Sequence, residues 1–323
     1  MSEKALRIVF FGTPDFSVPT LRRLLEGPHS VVGVVSQPDR ARGRGRRQTP
    51  SPVSQLALEA GLELLRPERV GAPEVLDALA GVEPDLGVVA AFGQFLPKKV
   101  RQLPRCGYLI NVHASLLPRH RGAAPIAHAI LAGDSRTGVS IMRVEKEMDA
   151  GPIATVGELE IGAQENAGEL TERLAELGAD LVERILPRIS SGRVEWTEQD
   201  HAQATTAPKI TREDARLGWR CSAESLVLRV RAMAPSPGAT TAHLGEPLRI
   251  LAAHTAPGPV DAEPGSVRRP SASTLQIATS RGWLVPTLLQ RAGGRAMDAA
   301  AYLRGRPIPD GARLDLLGDA EPD

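Results

Sequence analysis

Apolar runs alternate with amphipathic stretches through the first 190 residues. The apolar runs are short and end near glycine or polar residues, which is typical of buried strands. We predict strands at Leu6–Phe11, Val31–Val35, Leu86–Phe92, Leu109–His113, Gly138–Glu145 and Ile153–Ile161. We predict helices at Pro19–Glu26, Val53–Ala60, Pro73–Leu79, Ala124–Leu131 and Leu170–Ile189. Strand, helix and strand at this spacing indicate a parallel βαβ arrangement, so residues 1–189 are expected to form an open, mainly parallel, Rossmann-like α/β domain.

The pattern changes after residue 189. Residues 190–208 are polar and lack periodicity, which predicts a linker. In residues 209–310, apolar runs such as Leu248–Leu251, Leu275–Ala278 and Trp283–Leu289 are separated by Gly, Pro and Ser. This is an all-β pattern, typical of a small barrel or sandwich. Residues 311–323 are expected to be a loose, acidic tail.

Charge is unevenly distributed, although the 323-residue chain has a net charge of only +1. Residues 209–310 contain 14 Lys and Arg against 8 Asp and Glu, which is +6, whereas residues 1–208 sum to −2. The second half therefore points weakly to a polyanionic partner, with a solvated surface as the alternative.

The cellular setting is predicted from several features together. The two cysteines, Cys106 and Cys221, are far apart and form no motif, so a disulfide framework or a cysteine zinc site is not expected. No apolar run approaches the ~18 residues of a membrane span. The first residues lack the pattern of a secretory leader. We expect a cytoplasmic protein.

Candidate chemistry lies at the end of one predicted strand. Asn111 and His113 are two residues apart, so both side chains project from the same face. They would reach the carboxyl edge of the sheet, where open α/β proteins bind ligands. Asp149, in the turn EMDAGP, is the natural third member. An amide donor, an imidazole and a carboxylate suit acyl-type transfer, although strand-end pairs and turn aspartates are often purely structural.

Two other classes of site are disfavoured. His113, His120 and His128 fall within 16 residues, but their spacing matches no familiar metal pattern, so no metal is expected. The junction after the first strand has the sequence GTPDFS, not G-x-G-x-x-G. This argues against a nicotinamide dinucleotide enzyme.

The segment 40–47, RARGRGRR, contains five arginines: Arg40, Arg42, Arg44, Arg46 and Arg47. It follows the second predicted strand, so it should lie near the same sheet edge as Asn111 and His113. Flexible arginine loops suit phosphate backbones and can order on binding. A solvated, disordered loop is the alternative.

The motifs converge on one family. The stretches FGTPDFS, VVSQPDR, GRGRRQTPSPV, AFGQFLP, INVHASLLPRHRGAAP and GVSIMRVEKEMDAGPI resemble the folate-dependent formyltransferases. The arginine segment, with APKITREDARL, RAMAPSPGATT and LLQRAGGRAMDAAAYLRG in the second half, is similar to the branch that formylates methionyl-tRNA. The resemblance extends over nearly the whole chain.

The resemblance implies roles for individual residues. Asn111, His113 and Asp149 are then catalytic, and the formyl donor 10-formyltetrahydrofolate lies against Ser115, Leu116, Leu117 and Pro118. The residues Gly122, Ala123, Ala124 and Pro125 shape the substrate pocket, and the five arginines of 40–47 contact initiator tRNA. The second domain is then OB-like and binds tRNA, the protein is a monomer, and neither metal nor membrane takes part.

Two positions depart from the family pattern, and other functions stay open. Phe92 stands where a tyrosine is expected, and Gly218 where an acidic residue is common. A formyltransferase that acts on a sugar nucleotide or glycinamide ribonucleotide would fit the N-terminal motifs alone. An RNA-binding protein that kept the fold without catalysis is a further alternative, and the presence of Asn111, His113 and Asp149 argues against it.

Overall fold

A computed structural model describes residues 5–42 and 47–315. These residues fall into two compact units. The first takes those within 1–125, 136–160 and 171–207, and the second takes those within 126–135, 161–170 and 208–323. No helix among the described residues is long and apolar enough to cross a membrane.

The first unit is built on a seven-stranded sheet with the order β5-β2-β1-β6-β7-β8-β9. Neighbours from β5 to β7 are parallel, and β7, β8 and β9 pair antiparallel. The strands before residue 161 are β1 Arg7–Gly12, β2 Ser30–Val35, β3 Arg40–Arg42, β4 Arg47–Thr49, β5 Leu64–Leu65, β6 Leu86–Ala90, β7 Leu109–His113, β8 Arg136–Arg143 and β9 Ile153–Glu160. The predicted α/β domain is confirmed, with β3 and β4 as a separate hairpin.

Six helices lie between residues 18 and 190. They are α1 Val18–Glu26, α2 Pro52–Glu59, α3 Pro73–Gly81, α4 Lys98–Arg101, α5 Pro125–Leu131 and α6 Ala167–Ser190. The central strands are covered on both faces, because every residue of β6 is buried and Ile8 and Phe10 of β1 are fully inaccessible. This burial explains why these strands are apolar runs without alternation.

Helix α6 approaches the sheet closely through a glycine. A Cβ atom placed on Gly178 would lie 2.6 Å from Val112 Cγ1 in β7, well inside van der Waals contact. A Cβ on Gly157 in β9 would lie 2.9 Å from Leu177 Cδ1 of the same helix. The strand that carries Asn111 and His113 is therefore backed by a tightly packed helix.

The second unit contains a six-stranded antiparallel sheet. Its strands are β10 Ala239–His243, β11 Glu246–Ala256, β12 Val267–Ser271, β13 Thr274–Ala278, β14 Trp283–Arg291 and β15 Met297–Asp298. The order is β10-β11-β14-β13-β12, with β15 paired to β14. The prediction of a β-rich second domain is confirmed.

The prediction that this domain is all-β is wrong in one respect, because two helices accompany the sheet: α7 Ala223–Met233 and α8 Ala299–Gly305. Helix α7 packs on β11 and β14. It begins at Ser222, whose hydroxyl accepts a hydrogen bond from Ser225 N, and it buries Leu226, Val230 and Met233. These three residues have helical spacing, a signal that the frequent Gly and Pro around them obscured.

The C-terminal segment takes part in the barrel-like closure of this sheet. Asp315 exchanges two backbone hydrogen bonds of 2.9 Å with Ala242 of β10. On the other side, Leu314 N donates to Gly265 O, and Val267 N donates to Ala312 O. The segment 311–315 thus lies between the edge strands β10 and β12, where the sequence suggested the start of a loose tail. Residues 316–323 lie outside the described residues.

We expect Gly178→Ala to lower the stability of the first unit by about 1–2 kcal/mol. The added methyl overpacks the contact with Val112, and this outweighs the gain of up to ~1 kcal/mol from replacing a helical glycine. The measurement is the urea midpoint of unfolding. Gly81→Ala at the exposed end of α3 is the control, because nothing lies within 4 Å of its Cβ position. Equal midpoints for the two variants would contradict the close approach.

Candidate active site

The site lies at the carboxyl edge of the parallel strands. The chain leaves β1 towards β2 on one side and reaches β6 on the other, so the strand order reverses between β1 and β6. A crevice opens at such a point in doubly wound sheets. Register places Ala90, the last residue of β6, beside Val112, so residues 91–93 lie next to the end of β7.

A pocket of about 290 Å³ occupies this crevice. Its walls come from the segments that follow β1, β2 and β6 and from the base of the β3–β4 hairpin: Thr13, Pro14, Gln37, Pro38, Arg40, Thr49, Ser51, Ala91, Phe92 and Gly93. Thr13 connects three of these segments through two hydrogen bonds. Its hydroxyl donates to Phe92 O at 3.0 Å and accepts from Gln37 N at 3.2 Å.

Asn111 and His113 lie in β7, next to this crevice, in the positions that the sequence predicts. Asn111 is half-buried, and its side-chain amide makes no hydrogen bond to the residues that the structure describes. His113 is 5% exposed. Its Nε2 lies 3.0 Å from His120 O, and its Nδ1 lies 3.5 Å from Asp149 Oδ2.

Both ring nitrogens of His113 therefore face acceptors. A carbonyl oxygen only accepts, so the hydrogen bond to His120 O places a proton on Nε2. A neutral ring would then leave Nδ1 without a proton towards the Asp149 carboxylate. An imidazolium would satisfy both contacts, so the geometry suits a proton shared along the His113–Asp149 pair.

Asp149 reaches His113 from the loop that joins β8 and β9. Residues 144–152 form this loop, and Asp149 adopts a left-handed backbone conformation with φ = +50°. Its Oδ2 accepts a hydrogen bond of 2.9 Å from Gly122 N. The structure thus brings Asp149 to His113, which lies two residues after Asn111 on the same strand.

The Gly122–Pro125 segment lies beside this carboxylate. Ala124 N donates to Ala207 O, and Pro125 begins α5. Ala123 is exposed, so its methyl is available to a ligand. Gly122 has φ = +130°, and a Cβ there would lie 2.5 Å from Ala207 O. Only glycine fits this position without a shift of the backbone.

The four residues predicted to contact folate differ in their access to solvent. The Ser115 hydroxyl is fully buried and donates to Arg119 O at 2.6 Å, while Ser140 Oγ donates to Ser115 O. Leu117 is 8% exposed. Leu116 and Pro118 are half-buried and therefore offer apolar surface. Ser115 and Leu117 fix the loop from within.

The two ends of the arginine segment pair with each other as short strands. Residues 40–42 and 47–49 pair as the antiparallel strands β3 and β4, with Arg42 opposite Arg47. The prediction of a loop is therefore corrected to a hairpin whose base, through Arg40 and Thr49, lines the pocket. Arg44 and Arg46 lie outside the described residues.

The remaining predictions concern metals and the two unusual positions. Within residues 5–42 and 47–315, no group of three His, Cys, Asp or Glu could hold a metal ion. Phe92 is 2% exposed and packs edge-to-face on Phe11 at 5.6 Å, so an apolar ring is well accommodated there. Gly218 has only Cys221 Sγ near its Cβ position, at 4.0 Å.

Sequence reasoning missed residues that shape the site without carrying charge. Thr13, Gln37 and Gly93 line the pocket, and all three lie in stretches that carry the family resemblance. Gln199 was also missed, because it lies in the segment predicted to be a linker. Its side chain binds the backbone on both sides of the turn at Asp149 and Gly151.

Comparison with known proteins places the chain. A family model described as formyl transferase matches residues 6–186, and one described as formyl transferase, C-terminal domain, matches residues 209–307. The chain belongs to the formyl transferase family. The predicted folate-dependent formyltransferase family is therefore confirmed.

Relatives of this formyl transferase match over almost their whole lengths. The methionyl-tRNA formyltransferase of Methylococcus capsulatus is 45% identical over 309 residues, which cover 96% of this chain and 99% of the relative. That of Halorhodospira halophila is 46% identical over 95% of this chain and 98% of the relative. That of Bacillus subtilis is 42% identical, with 97% and 98% covered.

Solved structures share the fold of this formyl transferase at low identity. WlaRD, a sugar 3N-formyl transferase solved in the presence of dTDP and 5-N-formyl-THF, has a TM-score of 0.66 at 16% identity, covering 90% of this chain and all of the other. HypX from Aquifex aeolicus, in complex with tetrahydrofolic acid, has a TM-score of 0.62 at 18% identity, covering 93% of this chain and 47% of the other.

We expect Gly122→Ala to destabilise the first unit by about 2–3 kcal/mol, because it combines backbone strain with a clash against Ala207 O. The comparison variant is Gly61→Ala. Gly61 also has a positive φ, of 65°, but nothing lies within 4 Å of its Cβ position, so strain alone should cost about 1 kcal/mol. Urea unfolding of both variants measures the difference. A Gly122→Ala protein as stable as Gly61→Ala would show that the approach to Ala207 imposes no constraint.

Proposed function

We propose that this protein transfers a formyl group from 10-formyltetrahydrofolate to the free α-amino group of methionine on initiator methionyl-tRNA. The observation that carries the proposal is the joining of Asn111, His113 and Asp149 beside a pocket at the switch point of the sheet. Full-length likeness to several methionyl-tRNA formyltransferases, in both units, supports the choice of acceptor.

The reaction forms one C–N bond and breaks another. The methionine amine attacks the formyl carbon, a tetrahedral species forms with charge on oxygen, and the bond to the folate nitrogen breaks. One proton must leave the attacking amine, and one must reach the departing nitrogen. The site therefore needs an oxyanion donor and a proton relay.

Asn111 is the donor that fits the oxyanion. Its amide faces the same side of β7 as His113, and among the described residues it has no competing hydrogen bond. The amide is therefore available to donate when the charge develops. Such a donor stabilises the transition state by ~3 kcal/mol.

Asp149 and His113 are suited to the proton transfers. Asp149 Oδ2 accepts a hydrogen bond from Gly122 N and faces His113. No described residue donates to Oδ1, so this oxygen can accept the amine proton directly or through water. His113 lies between this carboxylate and His120 O. A protonated ring can supply the proton that the leaving nitrogen takes up.

The pocket fits the head group of the folate donor. A ring system that carries amide-like edges needs apolar walls and a few fixed polar groups. Leu116 and Pro118 are half-buried and offer apolar surface nearby. Phe92 forms part of the pocket wall, and Thr13 and Gln37 are polar groups of that wall that are fixed by hydrogen bonds. In this proposal Ser115 and Leu117 support the folate site from behind, because they are buried.

The arginines favour a polyanionic acceptor. The pairing of β3 with β4 brings Arg40 to the pocket. The sequence of the segment 40–47 also contains Arg42, Arg44, Arg46 and Arg47, a density of charge that a small amine does not require. The second unit, with a net charge of +6 over residues 209–310, would bind the tRNA backbone.

We further predict that the protein is a monomer, that it acts in the cytoplasm and that it needs no metal.

We expect Asn111→Asp and Asp149→Asn each to reduce kcat by about 100-fold or more, since each keeps the side-chain shape and removes one chemical role. The assay is formyl transfer from 10-formyltetrahydrofolate to methionylated initiator tRNA, with thermal unfolding as the control for folding. Near-normal turnover in Asn111→Asp would rule out the oxyanion role. Wild-type transfer to a sugar amine instead of the tRNA would move the acceptor to a small molecule.

We expect replacement of Arg42, Arg44 and Arg46 by alanine to raise KM for tRNA at least ~10-fold and to leave folate binding unchanged. Each lost phosphate contact should also lower the salt dependence of tRNA affinity by about 0.7–0.9 in slope. The matched control replaces Arg22, Arg184 and Arg188, which are exposed and carry the same charge. An equal loss in both triple variants would mean that net charge acts, and not the hairpin.

A further inference from the structure

Gln199 lies within the first unit, in the segment 190–208 that the sequence predicts to be a linker. It is 6% exposed, and its amide nitrogen donates to Asp149 O at 2.9 Å and to Gly151 O at 2.7 Å. Its Oε1 accepts two hydrogen bonds from the Arg121 guanidinium, at 3.1 and 2.6 Å. All the strong hydrogen-bonding groups of this amide are therefore used.

These contacts join the loop that carries Asp149 to the loop whose backbone binds both His113 and Asp149. Arg121 directly follows His120, whose carbonyl binds His113, and precedes Gly122, whose N–H binds Asp149. Gln199 connects this loop to the backbone on both sides of Ala150. The link therefore closes a ring that runs from Asp149 through Gln199, Arg121 and Gly122 back to the Asp149 carboxylate.

The segment around Gln199 is also anchored by hydrogen bonds on both sides of Gln199. Thr197 exchanges backbone hydrogen bonds with Ile153 at 2.8 and 2.9 Å. Further along the chain, the Thr205 hydroxyl accepts a hydrogen bond from His120 N, and the Thr205 carbonyl accepts one from Arg121 N. Ala207 N donates a hydrogen bond to Arg121 O. Gln199 is thus held on a backbone fixed at both ends to the first unit.

Asp149 needs such support because its own backbone does not favour the observed conformation. A non-glycine residue at φ = +50° costs about 1–2 kcal/mol relative to the usual helical or extended regions. The loop keeps this conformation only if neighbouring contacts determine it. Within 147–151, the Gln199 amide binds both the strained residue and the glycine two positions later.

We propose that Gln199 is a positioning residue for formyl transfer: it holds Asp149 at the distance from His113 that the proton relay requires. This inference rests on the proposed function for its kinetic consequence, but its structural consequence does not. Among the three proposed catalytic residues, the described hydrogen bonds connect Gln199 directly to Asp149.

The kinetic test compares three variants. Gln199→Met keeps the length of the side chain and removes all polar contacts, whereas Gln199→Glu keeps an acceptor for Arg121 and loses the two N–H donors. Both should lower kcat about 10- to 100-fold, as misplacement of a catalytic group does, with KM for folate and tRNA within about twofold of wild type. Gln203→Ala is the matched control, because Gln203 is exposed in the same segment and binds only Asp200 through its side chain.

A double-mutant cycle separates positioning from general damage. If Gln199 acts through Asp149, Gln199→Met in the Asp149→Asn background should cause no further loss of kcat, within about twofold. A full additional loss would show that Gln199 supports the fold or another residue, and would overturn the proposal. Full activity of Gln199→Glu would assign the effect to Arg121 and would equally overturn it.

A second measurement does not depend on catalysis. The imidazole nuclei of His113, followed by NMR with ¹⁵N-labelled histidine and assigned with His113→Gln, report the contact with Asp149. Gln199→Met should move these signals in the direction of Asp149→Asn, and Gln203→Ala should leave them in place. Unchanged signals in folded Gln199→Met would refute the positioning role. If Gln199→Met shows the expected shift of the His113 signals but the wild type transfers no formyl group to methionyl-tRNA, the proposed function fails and the positioning role stands.

Discussion

The contact between Asp149 and the end of β7 is the interaction on which the site depends. One carboxylate oxygen faces His113 Nδ1 at 3.5 Å and accepts Gly122 N at 2.9 Å. To make it, the loop after β8 must return across the sheet and hold a left-handed residue. The strain is local, and the contacts that offset it come from three separate segments of the first unit.

Close packing explains why this contact can be maintained. The absence of a side chain at Gly178 lets α6 approach Val112 of β7 closely. The absence of a side chain at Gly122 lets its loop lie against Ala207 O. At both places a single methyl group would displace backbone or core. The pocket is held in a similar way, because Thr13 links the segments that follow three different strands. Strand β7 and the pocket wall thus share one sheet edge, which suits a preorganised site.

Local pattern was sufficient for most of the architecture. Buried parallel strands are continuous apolar runs, so β1, β2, β6 and β7 could be recognised from composition alone. The helix α7 could not, because Gly and Pro around it favoured a β interpretation. The pairing of residues 311–315 between β10 and β12 also escaped prediction, since an acidic tail and a closing strand look alike until the partner strands are known.

The sequence by itself determined the chemistry of the site: an amide and an imidazole on one face of a strand, an aspartate in a turn, and a cluster of arginines, in an order similar to one family. Tertiary structure decided which groups meet. The segment predicted to be a linker carries Gln199, which binds the backbone of the Asp149 loop. The Ser115 hydroxyl is buried and donates to Arg119 O within its own loop. The role of Gln199 depends on hydrogen bonds between residues 48 to 78 positions apart, and side-chain type and spacing carry no signal for it.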